Sequence, residues 1–210
     1  MYAITGITGK VGGEVARTLS KAGLALRAVV RDPRKGAAWA DLGCDVAVSD
    51  MGDVVALTAA FSGARGVFVL LPPVFDPSPG FPETRATVAA LRQALEDARP
   101  ARVVCISTIG AQAKRENLLT QLSIMEQSLG DLPIPITFLR PAWFMENCGW
   151  DVTAACDKGV ISSFLQPLDK PVPMVASADV GRVAAELLQE NRSEERRVGK
   201  ECRSRWSPYH

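Results

Sequence analysis

The residues best placed to bind a ligand are three glycines near the N-terminus, Gly6, Gly9 and Gly12, which recur at every third position. They lie between a short apolar segment and a helical pattern, and a loop that opens a helix presents unpaired N–H groups and partial positive charge to an anion. A Cβ at Gly6 or Gly9 would hinder the tight turn and the approach of a diphosphate, whereas Gly12 lets helix and strand pack closely. The spacing differs from the standard Gly-x-Gly-x-x-Gly. The prediction of a nucleotide site therefore rests on where the glycines lie, directly after a first strand. We expect a dinucleotide to be bound by Gly6, Thr8, Gly9, Lys10, Val11 and Gly12; the alternative is a glycine turn that binds nothing.

Basic residues end the second predicted strand. Arg31 stands about twenty residues beyond the glycines, where such folds read the adenosine ribose. A guanidinium there binds a 2′-phosphate, whereas a carboxylate binds the 2′-hydroxyl and repels the phosphate. The sequence therefore favours NADP(H) over NAD(H), with Arg31 and Lys35 at the phosphate. Asp32 would favour NAD(H) if it turned inward, and Arg34 and Lys35 have the alternative of a solvated charge cluster.

Other candidate ligands follow the later strands. Asp50 either accepts a hydrogen bond from the adenine amine or caps the next helix, and the sequence does not choose between the two. Ligands of open α/β sheets bind outside the carboxyl ends of the strands. We therefore expect the residues after the fourth and fifth predicted strands to flank the nicotinamide half: Leu71, Pro72, Pro73, Ser107 and Thr108.

Strands and helices alternate along the chain. Apolar segments predict strands at residues 2–5, 24–30, 45–48, 66–71, 102–107 and 134–139, and helical periodicity predicts helices at 10–22, 34–42, 53–61, 83–98 and 116–130. Residues 72–82 are rich in proline and predict a loop. This order predicts an α/β doubly wound parallel sheet, the Rossmann class.

The alternation breaks after Pro141. We expect a nucleotide-binding core over residues 1–141 and a small, incomplete cap or substrate region over 142–191. The cap would contain an irregular stretch at 159–173 and a final helix starting at Val180, capped by Asp179 or Ser177.

The last nineteen residues, 192–210, differ abruptly in composition from the rest. Their string is similar to the translated read-through of a sequencing adapter. We interpret them as a non-native tail, so that a natural C-terminal portion would be missing; the alternative is a genuine basic tail. A natural reading frame running uninterrupted into the same tail would refute this interpretation.

Composition excludes several classes of function. The net charge is +1, without a basic stripe or an acidic tract, so we expect no nucleic-acid contact and no membrane surface. A strand beginning at Tyr2 leaves no room for a signal peptide, and no apolar run is long enough to span a bilayer, so we expect a cytoplasmic protein. The five cysteines lack Cys-x-x-Cys spacing and predict free thiols, with no metal site.

Taken together, these landmarks resemble the NmrA-like family of atypical short-chain dehydrogenase/reductases. The resemblance rests on the Thr5–Gly12 loop, Val30-Arg31-Asp32, Leu71-Pro72-Pro73, residues 107–111, and residues 138–141 followed by 144–147. It implies a Rossmann core that binds NADP(H), with a cleft for a substrate or partner beneath a C-terminal cap. It also implies two kinds of member: redox-sensing regulators, and NAD(P)H-dependent reductases of quinones, dyes or azo compounds.

Short-chain dehydrogenases usually carry a Tyr-x-x-x-Lys pair, in which the lysine lowers the tyrosine pKa for proton transfer to a carbonyl. The register set by Glu126 and Arg140-Pro141 places these positions at Leu118 and Leu122, and neither side chain carries a proton. The sequence therefore argues against a carbonyl–carbinol mechanism that needs a protein acid.

Two functions remain. The preferred one is a reductase that transfers hydride directly to a quinone, azo or dye acceptor, with the proton supplied by water. Trp143, Phe144, Met145 and Asn147 would line the acceptor pocket, and Ser107 or Thr108 would hydrogen-bond the acceptor oxygen; the alternative for Trp143 and Phe144 is core packing. The second function is a non-catalytic sensor in which NADP(H) biases binding of a regulatory protein partner.

Overall fold

The computed structural model describes residues 1–163 and 165–190. Six strands form one parallel sheet: β1 (Tyr2–Thr5), β2 (Leu26–Val30), β3 (Asp45–Val48), β4 (Gly66–Leu70), β5 (Val103–Ile106) and β6 (Ile136–Leu139). Five helices connect them: α1 (Lys10–Lys21), α2 (Pro33–Asp41), α3 (Val54–Phe61), α4 (Pro82–Ala98) and α5 (Thr120–Leu129). The strand order is β3-β2-β1-β4-β5-β6. This order confirms the predicted doubly wound Rossmann sheet, and the crossover direction reverses between β1 and β4.

Each face of the sheet has its own apolar core. On one face, Ala3, Val67 and Val69 pack against α3, α4 and α5, in a core that includes Phe61 and Leu91. On the other face, Tyr2, Ile4 and Phe68 pack against α1 and a later helix, α7 (Ser177–Gln189). Alternate strand residues thus face opposite layers, as expected when helices cover both sides of a parallel sheet.

The chain beyond β6 forms short elements and one long helix. Strand β7 (Trp143–Phe144) pairs in parallel with β8 (Met174–Val175), and between them lie a 3-10 helix (Met145–Trp150) and α6 (Val152–Lys158). Helix α7 then packs on α1, where a Cβ at Gly181 would lie 2.6 Å from Glu14 Cβ. Helix α7 therefore contributes to the layer that covers the sheet. The predicted division into a nucleotide-binding core and a cap at residue 141 stays a prediction.

Two helix starts differ from the sequence predictions. Helix α5 begins at Thr120 and not at 116, because the Asn117 side chain accepts the Leu119 N–H (2.8 Å) and holds a turn there. Helix α7 begins at Ser177 and not at Val180, and neither Asp179 nor Ser177 caps it; Asp179 pairs with Arg182 one turn further on. The predicted cap was wrong because the capping group comes from elsewhere in the chain.

Every helix in the described ranges is too short or too polar to cross a lipid bilayer. Cys44, Cys105, Cys148 and Cys156 are free thiols. The predicted non-native tail at 192–210 lies outside the described residues, and so does the fifth cysteine, Cys202.

Candidate functional site

The site is built where β1 and β4 end side by side. Thr5, the last residue of β1, is buried, and its hydroxyl donates to the Phe68 carbonyl (3.1 Å) and accepts the Leu70 N–H (2.9 Å). These two bonds fix the ends of the neighbouring strands at the point where the crossovers reverse. In folds of this class that point opens the ligand crevice.

The turn after Thr5 depends on two of the three glycines. Gly6 has a φ of +61°, which only glycine adopts without strain. A Cβ at Gly12 would lie 2.3 Å from the Gly6 carbonyl oxygen, so α1 approaches the loop too closely for any side chain. Gly9 has an ordinary φ of −91°, and a Cβ there would lie 3.3 Å from the same oxygen. The turn therefore requires Gly6 and Gly12 far more than Gly9.

The N-terminus of α1 is open to an anion. Gly9 is the N-cap, the cap has no side-chain hydrogen bond, and the first turn contains no acidic residue. The first backbone bond of the helix is Gly13 N–H to Gly9 O, so the N–H groups of Lys10, Val11 and Gly12 have no backbone acceptor among the described residues. Thr8, Gly9 and Lys10 are exposed. A diphosphate fits this arrangement, because the three N–H groups and the positive end of the helix dipole have no acceptor in the described part of the chain.

Beyond β2, the charged side chains divide into one bonded pair, Asp32 with Arg34, and two exposed cations, Arg31 and Lys35. The Asp32 carboxylate caps α2 by accepting the Arg34 N–H (3.0 Å), and the Arg34 guanidinium binds the same carboxylate through Nε (3.0 Å) and a terminal nitrogen (2.9 Å). These bonds from Arg34 hold the pKa of Asp32 below its usual value. Arg31 and Lys35 are exposed, and neither side chain pairs with any residue in the described ranges. Asp32 is thus committed to Arg34, whereas Arg31 is available to a ligand.

Asp50 does not cap the next helix. Its carboxylate accepts the Gly52 N–H (2.9 Å) within the loop, and α3 is capped by Asp53, which accepts the Ala56 N–H (2.9 Å). The capping alternative for Asp50 is therefore wrong, and its contact with adenine stays a prediction.

At the end of β5, Ser107 belongs to a chain of ionic hydrogen bonds. The buried Ser107 hydroxyl donates to Glu126, which also accepts two bonds from Arg140, one of them from Nε at 2.7 Å. The Glu126 carboxylate raises the pKa of Arg140, and burial raises that of the neighbouring Cys105 thiol far above its usual range. The Ser107 proton is therefore committed to Glu126. Thr108 is half-buried, and its hydroxyl contacts the Ile109 carbonyl (3.0 Å).

The four residues predicted to line an acceptor pocket have different surroundings. Phe144 packs against the core formed with α1 and α7, so the packing alternative describes it. Trp143 is half-buried beside β8, Asn147 is half-buried, and Met145 is 54% exposed. Leu71 is buried at the end of β4, whereas Pro72 is half-buried and Pro73 exposed. Trp143, Met145 and Asn147 stay candidates for contact with an acceptor.

A protein-family model described as NAD(P)H-binding matches residues 6–191, which is most of the chain. The chain belongs to this NAD(P)H-binding family. The match begins at Gly6, the residue whose positive φ forms the turn before α1.

Individual relatives agree with this assignment. The NAD(P)H-binding chain is 30% identical over 190 residues to an NAD(P)H azoreductase of Xenophilus azovorans, covering 90% of this chain and 63% of that protein. It is 27% identical over 164 residues to an NmrA-like family domain-containing oxidoreductase of Cladobotryum sp., covering 70% and 47% of the two chains. The crystal structure of the NADPH-dependent quinone oxidoreductase QOR2 of Escherichia coli in complex with NADPH superposes with a TM-score of 0.78 at 28% identity, covering 91% of this chain and 66% of that one. The chain thus spans less than two thirds of the length of these relatives. The name of the Cladobotryum protein is in line with the NmrA-like resemblance.

Two residues of this NAD(P)H-binding chain escaped the sequence predictions. Gln121 is buried at the start of α5 and binds the segment after Pro73, and Glu146 binds the N-terminus of α7. Glu146 lies inside a motif that carried the family resemblance, but its partner is 31 residues away. A polar residue in an otherwise buried helical position was the one available signal for Gln121.

Proposed function

We propose that the chain is an NADPH-dependent reductase that delivers hydride to quinone, azo or dye acceptors without an acid from the protein. One observation supports the proposal most. The N-terminus of α1, with three N–H groups free for a diphosphate, and Arg31, unpaired within the described ranges, lie at the end of the sheet where, by the sequence register, leucines replace the usual Tyr-Lys pair. The names of the relatives agree with it, since they include an azoreductase and a quinone oxidoreductase.

The residues of the chain would hold the dinucleotide by complementary charge. The N–H groups of Lys10, Val11 and Gly12 would bind the diphosphate, and the Lys10 ammonium would lie close to it. Arg31 would bind the 2′-phosphate of the ribose, with Lys35 adding positive charge. Arg34 supports the preference for NADPH indirectly, because it neutralises the Asp32 carboxylate that would otherwise repel the phosphate.

When bound, the reduced nicotinamide supplies a hydride, and the carboxyl ends of β4 and β5 would orient the acceptor next to it. By the sequence register, Leu118 and Leu122 would occupy the positions of a proton-donating pair, and the Ser107 proton is committed to Glu126. A quinone tolerates this lack of an acid: hydride adds to the ring system, the charge delocalises over the reduced anion, and water supplies the proton. A simple ketone would instead develop a localised alkoxide, to which Leu118 and Leu122 could give no proton.

The regulatory alternative gains no support from these findings, since the relatives named above carry the names of reductases. We therefore retain the reductase as the proposed function.

The test is turnover by the full 210-residue chain. NADPH consumption would be followed with a naphthoquinone, an azo dye and a triphenylmethane dye, with an unconjugated aliphatic ketone as the matched control. We expect turnover with at least one conjugated acceptor, a slower rate when the transferable hydrogen of NADPH is deuterium, and none with the ketone. Micromolar NADPH binding without turnover of any acceptor would contradict the proposal.

A further inference from the structure

Gln121 is the most completely bonded buried side chain near the proposed cleft. Only 4% of it is exposed, and its amide makes four hydrogen bonds. The oxygen accepts the Val74 N–H (3.1 Å) and the Thr84 hydroxyl (3.0 Å), and the nitrogen donates to the carbonyls of Val74 (2.9 Å) and Leu118 (3.1 Å). Donors face the oxygen and carbonyls face the nitrogen, so the amide has one orientation.

This amide joins three parts of the chain: the loop after β4, the first turn of α4, and α5 itself. The loop begins with Pro72 and Pro73, which have no N–H group and cannot donate to neighbouring backbone. Val74 supplies the first N–H after them, and Gln121 binds both the N–H and the carbonyl of that residue. The position of the Pro72–Pro73 segment therefore depends on a side chain 47 residues away.

We infer that Gln121 is a positioning residue for hydride transfer, and that it acts by holding Pro72 and Pro73 as a fixed wall of the nicotinamide half of the cleft. This inference rests on the proposed function. Gln121 lies between Leu118 and Leu122, the positions that the sequence register assigns to the proton-donating pair, and it would here set the geometry of the cofactor site. A misplaced wall lowers the rate because hydride transfer requires close contact at one orientation.

The decisive variant is Gln121→Glu, because its hydrogen bonding depends on pH. An ionised carboxylate still accepts from Val74 and Thr84, but it donates nothing and faces two carbonyl oxygens. Protonation restores one donor, and burial against carbonyls favours the protonated form. We expect kcat/KM for NADPH about tenfold below wild type at pH 8, returning to within about threefold at pH 6.

Two further variants separate positioning from general stability. Gln121→Met removes all four bonds without adding charge, so its loss should be the same at both pH values. Thr84→Val removes one buried bond of the amide but leaves both bonds to Val74, so it should lower the melting temperature and leave kcat/KM for NADPH within about twofold. Wild type measured at each pH corrects for the ionisable groups carried by the loop after β4, the first turns of α4, and α5, among them Asp76, Glu83, Arg85 and Glu126.

The rate of amide hydrogen exchange in residues 74–81, measured without nucleotide, reports directly whether Gln121 holds the loop after β4. It should be faster than in wild type for Gln121→Met, and for Gln121→Glu at pH 8, but unchanged for Thr84→Val. Folded Gln121 variants with wild-type kcat/KM at both pH values would overturn the inference, and so would an equal loss in Thr84→Val. Failure of wild type to bind NADPH would overturn the proposed function, and the wild-type titration identifies that case before any variant is compared.

Discussion

The carboxylate of Glu146 binds Ser177 at both of its polar groups. It accepts the Ser177 N–H (2.9 Å to Oε1 and 3.1 Å to Oε2) and the Ser177 hydroxyl (2.7 Å). Ser177 is the first residue of α7, so a carboxylate from the 3-10 helix serves as the cap that the chain before α7 does not supply. Helix α7 in turn buries Val180, Ala184 and Leu188 against the core it shares with α1. One carboxylate therefore fixes the segment after β6 to the helix that packs beside the nucleotide loop.

Replacing this carboxylate should destabilise the protein in a pH-dependent way. We expect Glu146→Gln to lower the free energy of unfolding at pH 7 by about 1 kcal/mol, the usual value of an N-cap. The Ser177 hydroxyl, the Ser177 N–H and nearby Lys10 hold the pKa of Glu146 below its usual value. A depressed folded-state pKa means that the stabilisation is complete above the unfolded pKa of about 4.3 and is lost as the pH falls through the lower folded value.

The check is the difference in unfolding free energy between wild type and Glu146→Gln from pH 7 to pH 3. It should be constant down to about pH 5 and shrink below about pH 4. Glu186→Gln, an exposed substitution on α7, is the control and should change stability by less than about 0.5 kcal/mol. A difference that does not vary with pH would show that the charge of Glu146 is irrelevant.

The glycine loop predicts stability losses of different size for two alanine substitutions. Gly12→Ala would place a methyl 2.3 Å from the Gly6 carbonyl oxygen, and we expect a loss of more than about 2 kcal/mol of folding free energy. Gly9→Ala meets the same oxygen at 3.3 Å with an ordinary φ, so it should cost about 1 kcal/mol or less. If the diphosphate lies over Gly9, this variant should still lose about tenfold in NADPH affinity. Thermal unfolding and NADPH titration of both proteins test this; equal stability of the two would contradict the described turn.

Arg34 should influence the choice of cofactor through Asp32. Removing its side chain in Arg34→Ala frees the carboxylate, which would repel a 2′-phosphate and bind a 2′-hydroxyl. We expect the ratio of the NADH to the NADPH dissociation constant to fall by about two- to fivefold, a modest change because Arg34 is exposed, Asp32 is only half-buried, and solvent screens both charges. The double variant Asp32→Asn with Arg34→Ala keeps a capping side chain but no charge, and it should restore the wild-type ratio. The same loss in the double variant would mean that Arg34 contacts the phosphate itself.

Arg140 should stabilise the fold because its guanidinium neutralises the Glu126 carboxylate. The Glu126 side chain is 13% exposed and that of Arg140 is 29% exposed, so Glu126 without its partner would be a largely buried, uncompensated carboxylate. We expect Arg140→Met to cost about 2 kcal/mol, and Arg140→Met combined with Glu126→Gln to cost less than the single substitution. Chemical denaturation of the three proteins measures this order. A double variant that is less stable than Arg140→Met would contradict it.

Sequence patterns predicted the elements well where local signals determine them. The bounds of β1 and β3 were predicted to the residue, since β1 is a short apolar run before the glycine loop and β3 a short run between α2 and α3. The alternation of elements predicted the parallel sheet. The turn at Gly6 and the close packing at Gly12 followed from the position of the glycines after a first strand.

What the sequence did not predict depends on partners distant in the chain. The cap of α7 comes from Glu146, the loop after Pro73 is held by Gln121, and the Ser107 proton goes to Glu126. The pairing of Asp32 with Arg34 is local, but the sequence left open whether the Asp32 carboxylate turned inward to favour NAD(H). The geometry of the α2 N-terminus is what shows the carboxylate bonded to Arg34. Periodicity reports which face of a helix is buried, and it carries no information on which polar groups meet there.

The most direct test is a titration of the wild-type chain with NADPH and with NADH at one fixed salt concentration. Arg31→Ala would be measured alongside it, with Arg65→Ala as control, because Arg65 is exposed at the opposite end of the sheet, just before β4. We expect NADPH to bind at least about tenfold more tightly than NADH, and this preference to be lost in Arg31→Ala and kept in Arg65→Ala. Equal or tighter binding of NADH by wild type, or an unchanged NADPH affinity in Arg31→Ala, would contradict the proposed NADPH site.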